Sequence, residues 1–101
     1  MAYKIKYLRS FKNDLNSAVR YIANDLGNPT AAAVLLTETE KEISRLAGYP
    51  FPLRPFACSK RSNTPYYRTI VKNYYIFFTI DGNTLEMRYF VHTRRNYIEI
   101  I

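Results

Sequence analysis

Apolar and polar positions along the chain follow two different periods. At residues 3–8, Tyr3, Ile5 and Tyr7 alternate with Lys4 and Lys6, the two-residue repeat of a half-buried strand whose lysines face solvent. The repeat then lengthens. Phe11, Leu15, Ala18, Val19, Ile22 and Leu26 recur mostly at three- and four-residue steps, one face of an α-helix. Ser10 suits its N-cap, where a hydroxyl accepts an orphan backbone N–H. Gly27 suits its end, because glycine enters the left-handed conformation without steric cost. Asn28-Pro29 starts a second helix at once, with Asn28 as cap and Pro29 in the first turn, where a missing N–H costs nothing. Residues 31–47 run without a breaker. Ala32, Leu35, Leu36, Thr39, Ile43 and Leu46 share a face, Glu38 and Lys41 pair at a spacing of three, as do Glu42 and Arg45, and Gly48 closes the run. So short a link between two helices predicts an antiparallel helical hairpin.

Residues 49–64 hold Pro50, Pro52 and Pro55 and read as one long loop carrying Arg54, Lys60 and Arg61. Three strand-like runs follow. Residues 66–71 form the first. Residues 74–80 are apolar on both faces, which predicts a central strand covered on both sides. Residues 85–91 alternate, with Leu85, Met87, Tyr89 and Val91 toward the core. Lys72-Asn73 is a tight turn, and Asp81-Gly82-Asn83 is a hairpin signal. The order β-α-α-β-β-β predicts a two-layer α+β domain, its helical hairpin laid on a C-terminal antiparallel meander. No repeat, linker or low-complexity tract divides it, so residues 1–101 read as a single domain.

Composition narrows the class. A chain of 101 residues with 48% hydrophobic and 16% aromatic content can bury a core and is not disordered in character. Its longest apolar run, residues 31–36, falls far short of the roughly 20 residues a membrane span needs. Met1-Ala2-Tyr3-Lys4 lacks the apolar stretch of a signal peptide. The single cysteine, Cys58, excludes an internal disulfide and a cysteine-built zinc site. The expectation is a soluble cytoplasmic protein. The net charge is +7, from 15 Lys/Arg and 8 Asp/Glu, and most of it lies in residues 51–101. Such a surface attracts an anionic partner, whether nucleic acid, acidic protein or anionic lipid, or it serves solubility alone.

Several chemistries fall away. One histidine, one cysteine and no clustered carboxylates supply no metal-ligand set. Cys58 and His92 have no third group to orient them as a nucleophile and base. Three glycines cannot write a phosphate-binding loop, so no small-molecule cofactor is expected. A basic and aromatic set remains: Arg68, Lys72, Arg88, His92, Arg94, Arg95 and Tyr97, with Lys60 and Arg61 from the loop. Arginine forks match phosphate oxygens. Histidine, arginine and tyrosine can also move the protons and hold the charge of metal-free RNA cleavage. The same residues read equally as a solvated polar face with Tyr97 packed beneath it. Tyr74 and Tyr75 read as aromatics of the core or its edge.

Taken in order, several segments resemble the RelE/ParE toxin superfamily. They are the Asn28-Pro29-Thr30-Ala31-Ala32 restart, Tyr67-Arg68-Thr69-Ile70-Val71, Asn73-Tyr74-Tyr75-Ile76-Phe77-Phe78, and Val91-His92-Thr93-Arg94-Arg95-Asn96-Tyr97. The resemblance covers essentially the whole chain. It implies the toxin half of a bacterial type II toxin–antitoxin or plasmid-stabilisation module, and a cognate acidic antitoxin as partner. In RelE-like members it implies a ribosome-dependent endoribonuclease that cuts mRNA, with Arg68, Arg94, Tyr97 and His92 as catalytic positions. In ParE-like members it implies an inhibitor of DNA gyrase with no nuclease site. Lys60, Arg61, Lys72, Arg88 and Arg95 would then contact nucleic acid or the target. Tyr75 stands where RelE-like sequences carry a key arginine, and Tyr66 where they carry a lysine, which leaves phosphate charge poorly compensated. With the long proline-started second helix and the Tyr74-Tyr75-Ile76-Phe77-Phe78 strand, the chain is more similar to ParE. A basic nucleic-acid-binding module without toxicity is the alternative of a different class.

Overall fold

The computed structural model describes residues 3–48, 55, 57–58 and 64–96. Arg54, Lys60, Arg61, Tyr97 and the tail to Ile101 lie outside the described residues. Strand β1 (Lys4–Tyr7) leads into helix α1 (Arg9–Arg20), which runs on into a π-helical turn at Tyr21–Asp25. Helix α2 (Pro29–Gly48) follows, then β2 (Ala57–Cys58), β3 (Pro65–Val71), β4 (Tyr74–Asp81) and β5 (Thr84–His92). The strands form one sheet in the order β1-β5-β4-β3-β2. β1 is parallel to β5, and all other neighbours are antiparallel. This is the expected α+β architecture, a helix pair over a C-terminal meander.

Local chemistry explains most element bounds. Asn28 caps α2 as expected, its Oδ1 accepting the Ala31 N–H at 3.0 Å. Ser10 does not cap α1. The backbone of Leu8 is tied to β5, its N–H donating to the Met87 carbonyl at 3.1 Å, and its own carbonyl accepts the Lys12 N–H. The helix therefore opens at Arg9 with Leu8 as N-cap. This frees the Ser10 hydroxyl to donate to the Arg88 carbonyl at 2.6 Å. The α-helical part of α1 also ends early. Beyond Arg20 the turn widens, the Leu26 N–H reaches back to Tyr21, and Gly27 closes the element at φ +62°. The wider turn rotates Leu26 out of the predicted apolar stripe and into solvent, and Leu36 is likewise exposed rather than core. The predicted loop at 49–64 contains β2, two residues paired with Pro65 and Tyr66.

The sheet buries both faces. Ile76 and Phe78 of β4 join Phe11, Leu35, Ile43 and Leu46 beneath the helices. Phe77, pointing the other way, packs with Tyr66 and Val91 in a second cluster. The expectation that β4 is covered on both sides is met, and each such side chain contributes about 1.5–3 kcal/mol. The predicted phase of β5 is half wrong. Phe78 pairs with Met87 while Phe77 pairs with Tyr89, so Arg88 is an extra residue on β5. A bulge of this kind inverts every later side chain. Leu85 and Met87 point to the helices, but beyond the bulge Phe90 does so, and Tyr89 and Val91 join the opposite cluster.

Candidate functional site

The predicted basic residues divide between the two faces of the sheet. On the face away from the helices, Arg68 of β3 lies opposite Phe77 of β4. Its guanidinium sits 4.4 Å from the centre of the Tyr75 ring, a cation–π contact. The bulge turns Arg88 onto the same face. Its Nε donates to Thr79 Oγ1 at 2.8 Å and its terminal nitrogen to Glu86 Oε1 at 3.4 Å. Thr79, buried, in turn donates to Glu86 at 3.0 Å. Tyr66 stacks on Tyr89 with ring centres 6.4 Å apart, and Arg88 lies 5.9 Å over its ring. Burial pushes the Tyr66 phenol up from its ordinary value, partly offset by the charge of Arg88. At neutral pH it is a neutral hydroxyl in an aromatic stack.

On the helix side, Tyr74 pairs with His92 across β4 and β5. Because register alternates, Tyr74 and Phe77 look to opposite faces, and His92 is therefore separated from Arg68 by the sheet itself. His92 meets the Tyr74 ring edge-on at 5.2 Å, and its Nδ1 accepts the Arg94 backbone N–H at 3.2 Å. That bond assigns the Nε2 proton in the neutral ring. Residues 92–95 form a turn in which the Arg95 N–H donates to the His92 carbonyl and the Thr93 N–H to Asn73. The turn of β5 and the Lys72-Asn73 turn thus share one end of the sheet, and bring Lys72, Arg94 and Arg95 to it, all three exposed. Lys72 holds a left-handed backbone at φ +54°.

Three residues at this end, Asp14, Ser17 and Tyr21, drew no functional reading from the sequence pattern. Ser17, Tyr21, Tyr74 and Asp14 join His92 and Arg95 around a groove of about 370 Å³. Asp14 accepts the Phe90 backbone N–H at 3.2 Å. Desolvation raises its carboxyl above the ordinary value, against the lowering pull of that hydrogen bond and of Arg95. Only the spacing of Ser10 and Asp14, one turn apart on the same helix flank, could have announced that both reach β5. A second groove of about 440 Å³ lies on the other side of Tyr74, walled by Ile22, Val34 and Leu35, with Lys72 at its rim. Between the two helices runs a third, of about 610 Å³, floored by Phe11, Leu15 and Ile43.

Among the described residues no three His, Cys, Asp or Glu side chains are grouped to hold a metal ion. β2, which carries Cys58, is three strand positions from β5, about 14 Å, so the backbone does not bring Cys58 to His92. No described helix is long and apolar enough to cross a membrane.

The family model described as the ParE toxin of the type II toxin–antitoxin system, parDE, matches residues 5–97. No curated protein matches the chain. Among solved structures, the chromosomal ParDE toxin–antitoxin system from P. aeruginosa is similar, with a TM-score of 0.67 at 13% sequence identity. The match covers 90% of this chain and 96% of that one.

Proposed function

This chain belongs to the ParE toxin family of type II toxin–antitoxin systems, and from that premise we propose that it arrests bacterial growth by docking on DNA gyrase in the cytoplasm. In this reading it makes and breaks no bond. Its basic surface, with Arg68 on the sheet and Lys72, Arg94 and Arg95 at its end, supplies complementarity to an anionic target. Family membership brings an antitoxin as partner, and the +7 charge favours an acidic one.

The observation that carries the reading is the separation of Arg68 from His92, two of the candidate catalytic groups. Metal-free RNA cleavage needs a proton acceptor, a phosphate-charge stabiliser and a proton donor around one phosphate. Arg68 and His92 lie on opposite faces of the sheet, held there by the pairing of Phe77 and Tyr74. Tyr66 and Tyr75, at positions where a nuclease of this superfamily would carry cations, are engaged in ring contacts with Tyr89 and Phe77.

The test is expression from a tight promoter with simultaneous pulses of labelled thymidine and labelled amino acid. Thymidine incorporation falls first if gyrase is the target. Protein synthesis falling first, with cut mRNA and loss of toxicity in Arg68→Ala or Arg94→Ala, replaces this reading with a ribosome-dependent nuclease. No fall in either leaves a basic nucleic-acid-binding module without toxicity.

A further inference from the structure

The groove between α1 and α2 differs from the rest of the molecule in charge. Residues 9–48 hold five Lys/Arg and five Asp/Glu, so the helical part of the chain is neutral and the whole net charge of +7 lies on the remaining residues. A neutral helix pair exerts no net pull on nucleic acid or on an acidic partner. What it presents instead is apolar. Phe11, Thr39 and Ile43, all buried, lie at the bottom of the groove. Thr39, the polar one of the three, donates its hydroxyl to the Leu35 carbonyl at 2.7 Å and so has no proton to offer a polar ligand. On the rim, Tyr7 is 43% exposed and Leu36 38%. An apolar centre inside a polar rim is the anatomy of a protein interface.

The rim identifies the partner. Lys12 stands on the α1 wall and Glu40 on the α2 wall, both exposed, and neither is in an ion pair among the described residues. The two are level with each other. Burial and then the charge of Glu40 push the Tyr7 phenol up, and Tyr7 lies 5.9 Å from Phe11, the neighbour of Lys12. An acidic partner would satisfy Lys12 and oppose Glu40, and a basic one would do the reverse. The complementary surface carries an anion facing one wall and a cation facing the other. A second copy of this groove, turned over, has that pattern. A twofold axis along the groove exchanges its walls, so that α1 of each copy faces α2 of the other and two Lys12–Glu40 contacts form at once. An axis across the groove would set α1 on α1 and leave each charge without its opposite. Leu36, Glu40 and Ser44 recur every four residues on α2, a ridge of the kind that fills a groove on another helix surface. With its 20 residues, α2 is about 30 Å long. Two helices side by side give a flat footprint of roughly 600 Å² before side-chain relief, near the ~800 Å² per partner of a stable interface.

We propose that the helix pair is a self-association surface, on which two copies of this chain dimerise about a twofold axis along the groove, each seating its Leu36 ridge in the other and pairing its Glu40 with the other copy's Lys12. The Arg68 faces of the two sheets, on the side away from the helices, then point away from one another, where their like charges are farthest apart. The inference needs neither gyrase as target nor toxicity.

The test is sedimentation equilibrium of the purified chain, with thermal melting to show that each variant is folded. The parent is expected to pass from monomer to dimer between about 1 and 100 μM. Lys12→Glu and Glu40→Lys, each alone, put like charges together at two symmetry-related places and are expected to weaken the dimer about tenfold. An equimolar mixture of these two variants is expected to associate like the parent, because each then meets its opposite in the other. Leu36→Asp is expected to weaken association about 30-fold. Val34→Asp, exposed but outside this groove, stays within about threefold of the parent. A parent that is still monomeric at the top of that range overturns the proposal. So does a dimer indifferent to the three groove variants, or a mixture that associates no better than its components. A monomeric parent whose antitoxin binding falls in Leu36→Asp overturns it too, and assigns the groove to the antitoxin.

Discussion

At the residue scale, Thr79 bridges two charged side chains that also pair directly, Arg88 and Glu86. It accepts from Arg88 and donates to Glu86, and it is buried. Thr79→Val keeps the volume and removes both bonds. Because Arg88 and Glu86 retain partial access to water, the cost is expected at about 1 kcal/mol, read as a lower urea midpoint with unchanged slope. Two carboxylates should respond to pH in opposite senses. Glu42 is held below its ordinary value, first by the hydrogen bonds from Arg45 and then by Thr69. Its contribution to stability is present above the ordinary glutamate value, about pH 4, and is lost as pH falls through the depressed one. Asp14 is raised by desolvation. Its contribution is present below the ordinary aspartate value and is lost as pH rises through the raised one. Asp14→Asn, which keeps an acceptor for the Phe90 N–H, should therefore melt higher than the parent at pH 7, with the gap closing toward pH 3. None of this was legible in the sequence. Arg88 read as a target contact or a solvated residue and Asp14 drew no reading at all, because their partners are set by tertiary contacts across 9 and 76 positions.

At the element scale, the two hairpins of the meander solve the same turn with different residues. Gly82 opens one at φ +60° and Lys72 the other at φ +54°. A side chain in that region costs about 1–2 kcal/mol. Lys72→Gly should therefore raise stability by about 1 kcal/mol in chemical denaturation. The elements themselves were legible because each obeys its own period. Alternation gave β1, the three-to-four repeat gave both helices, and the doubly apolar run gave the central β4. What escaped has a physical cause in each case. The single residue of bulge at Arg88 leaves no mark in composition, so the phase of Tyr89 and Val91 came out inverted. Ser10 satisfied every local rule for a cap, but the pairing of Leu8 with β5 moved the helix start. A strand of two residues, β2, has no period to read. The candidate basic positions were found by type, yet their division between two faces depends on register, and the grooves around Tyr74 depend on a π-helical turn that no sequence repeat announces.

At the scale of the whole molecule, β5 lies between the first strand of the chain and the central strand β4. Where β1 stops at Tyr7, α1 takes over the free edge of β5, Ser10 meeting the Arg88 carbonyl and Asp14 the Phe90 N–H. Both clusters of the core draw on β4 and β5. We therefore expect one cooperative unit: a single calorimetric transition whose measured and van't Hoff enthalpies agree. Two transitions would mean that the two faces of the sheet melt apart. The position of β5 also has a consequence in time. During synthesis β1 and α1 leave the ribosome first, and the strand that both must join is the last of the five to be made. Until residues 84–92 emerge, β1 has no neighbour to pair with and the apolar flank of α1 has no floor. A chain built in this order cannot close its sheet while it is being made, and its fold is completed only after the last strand has left the ribosome.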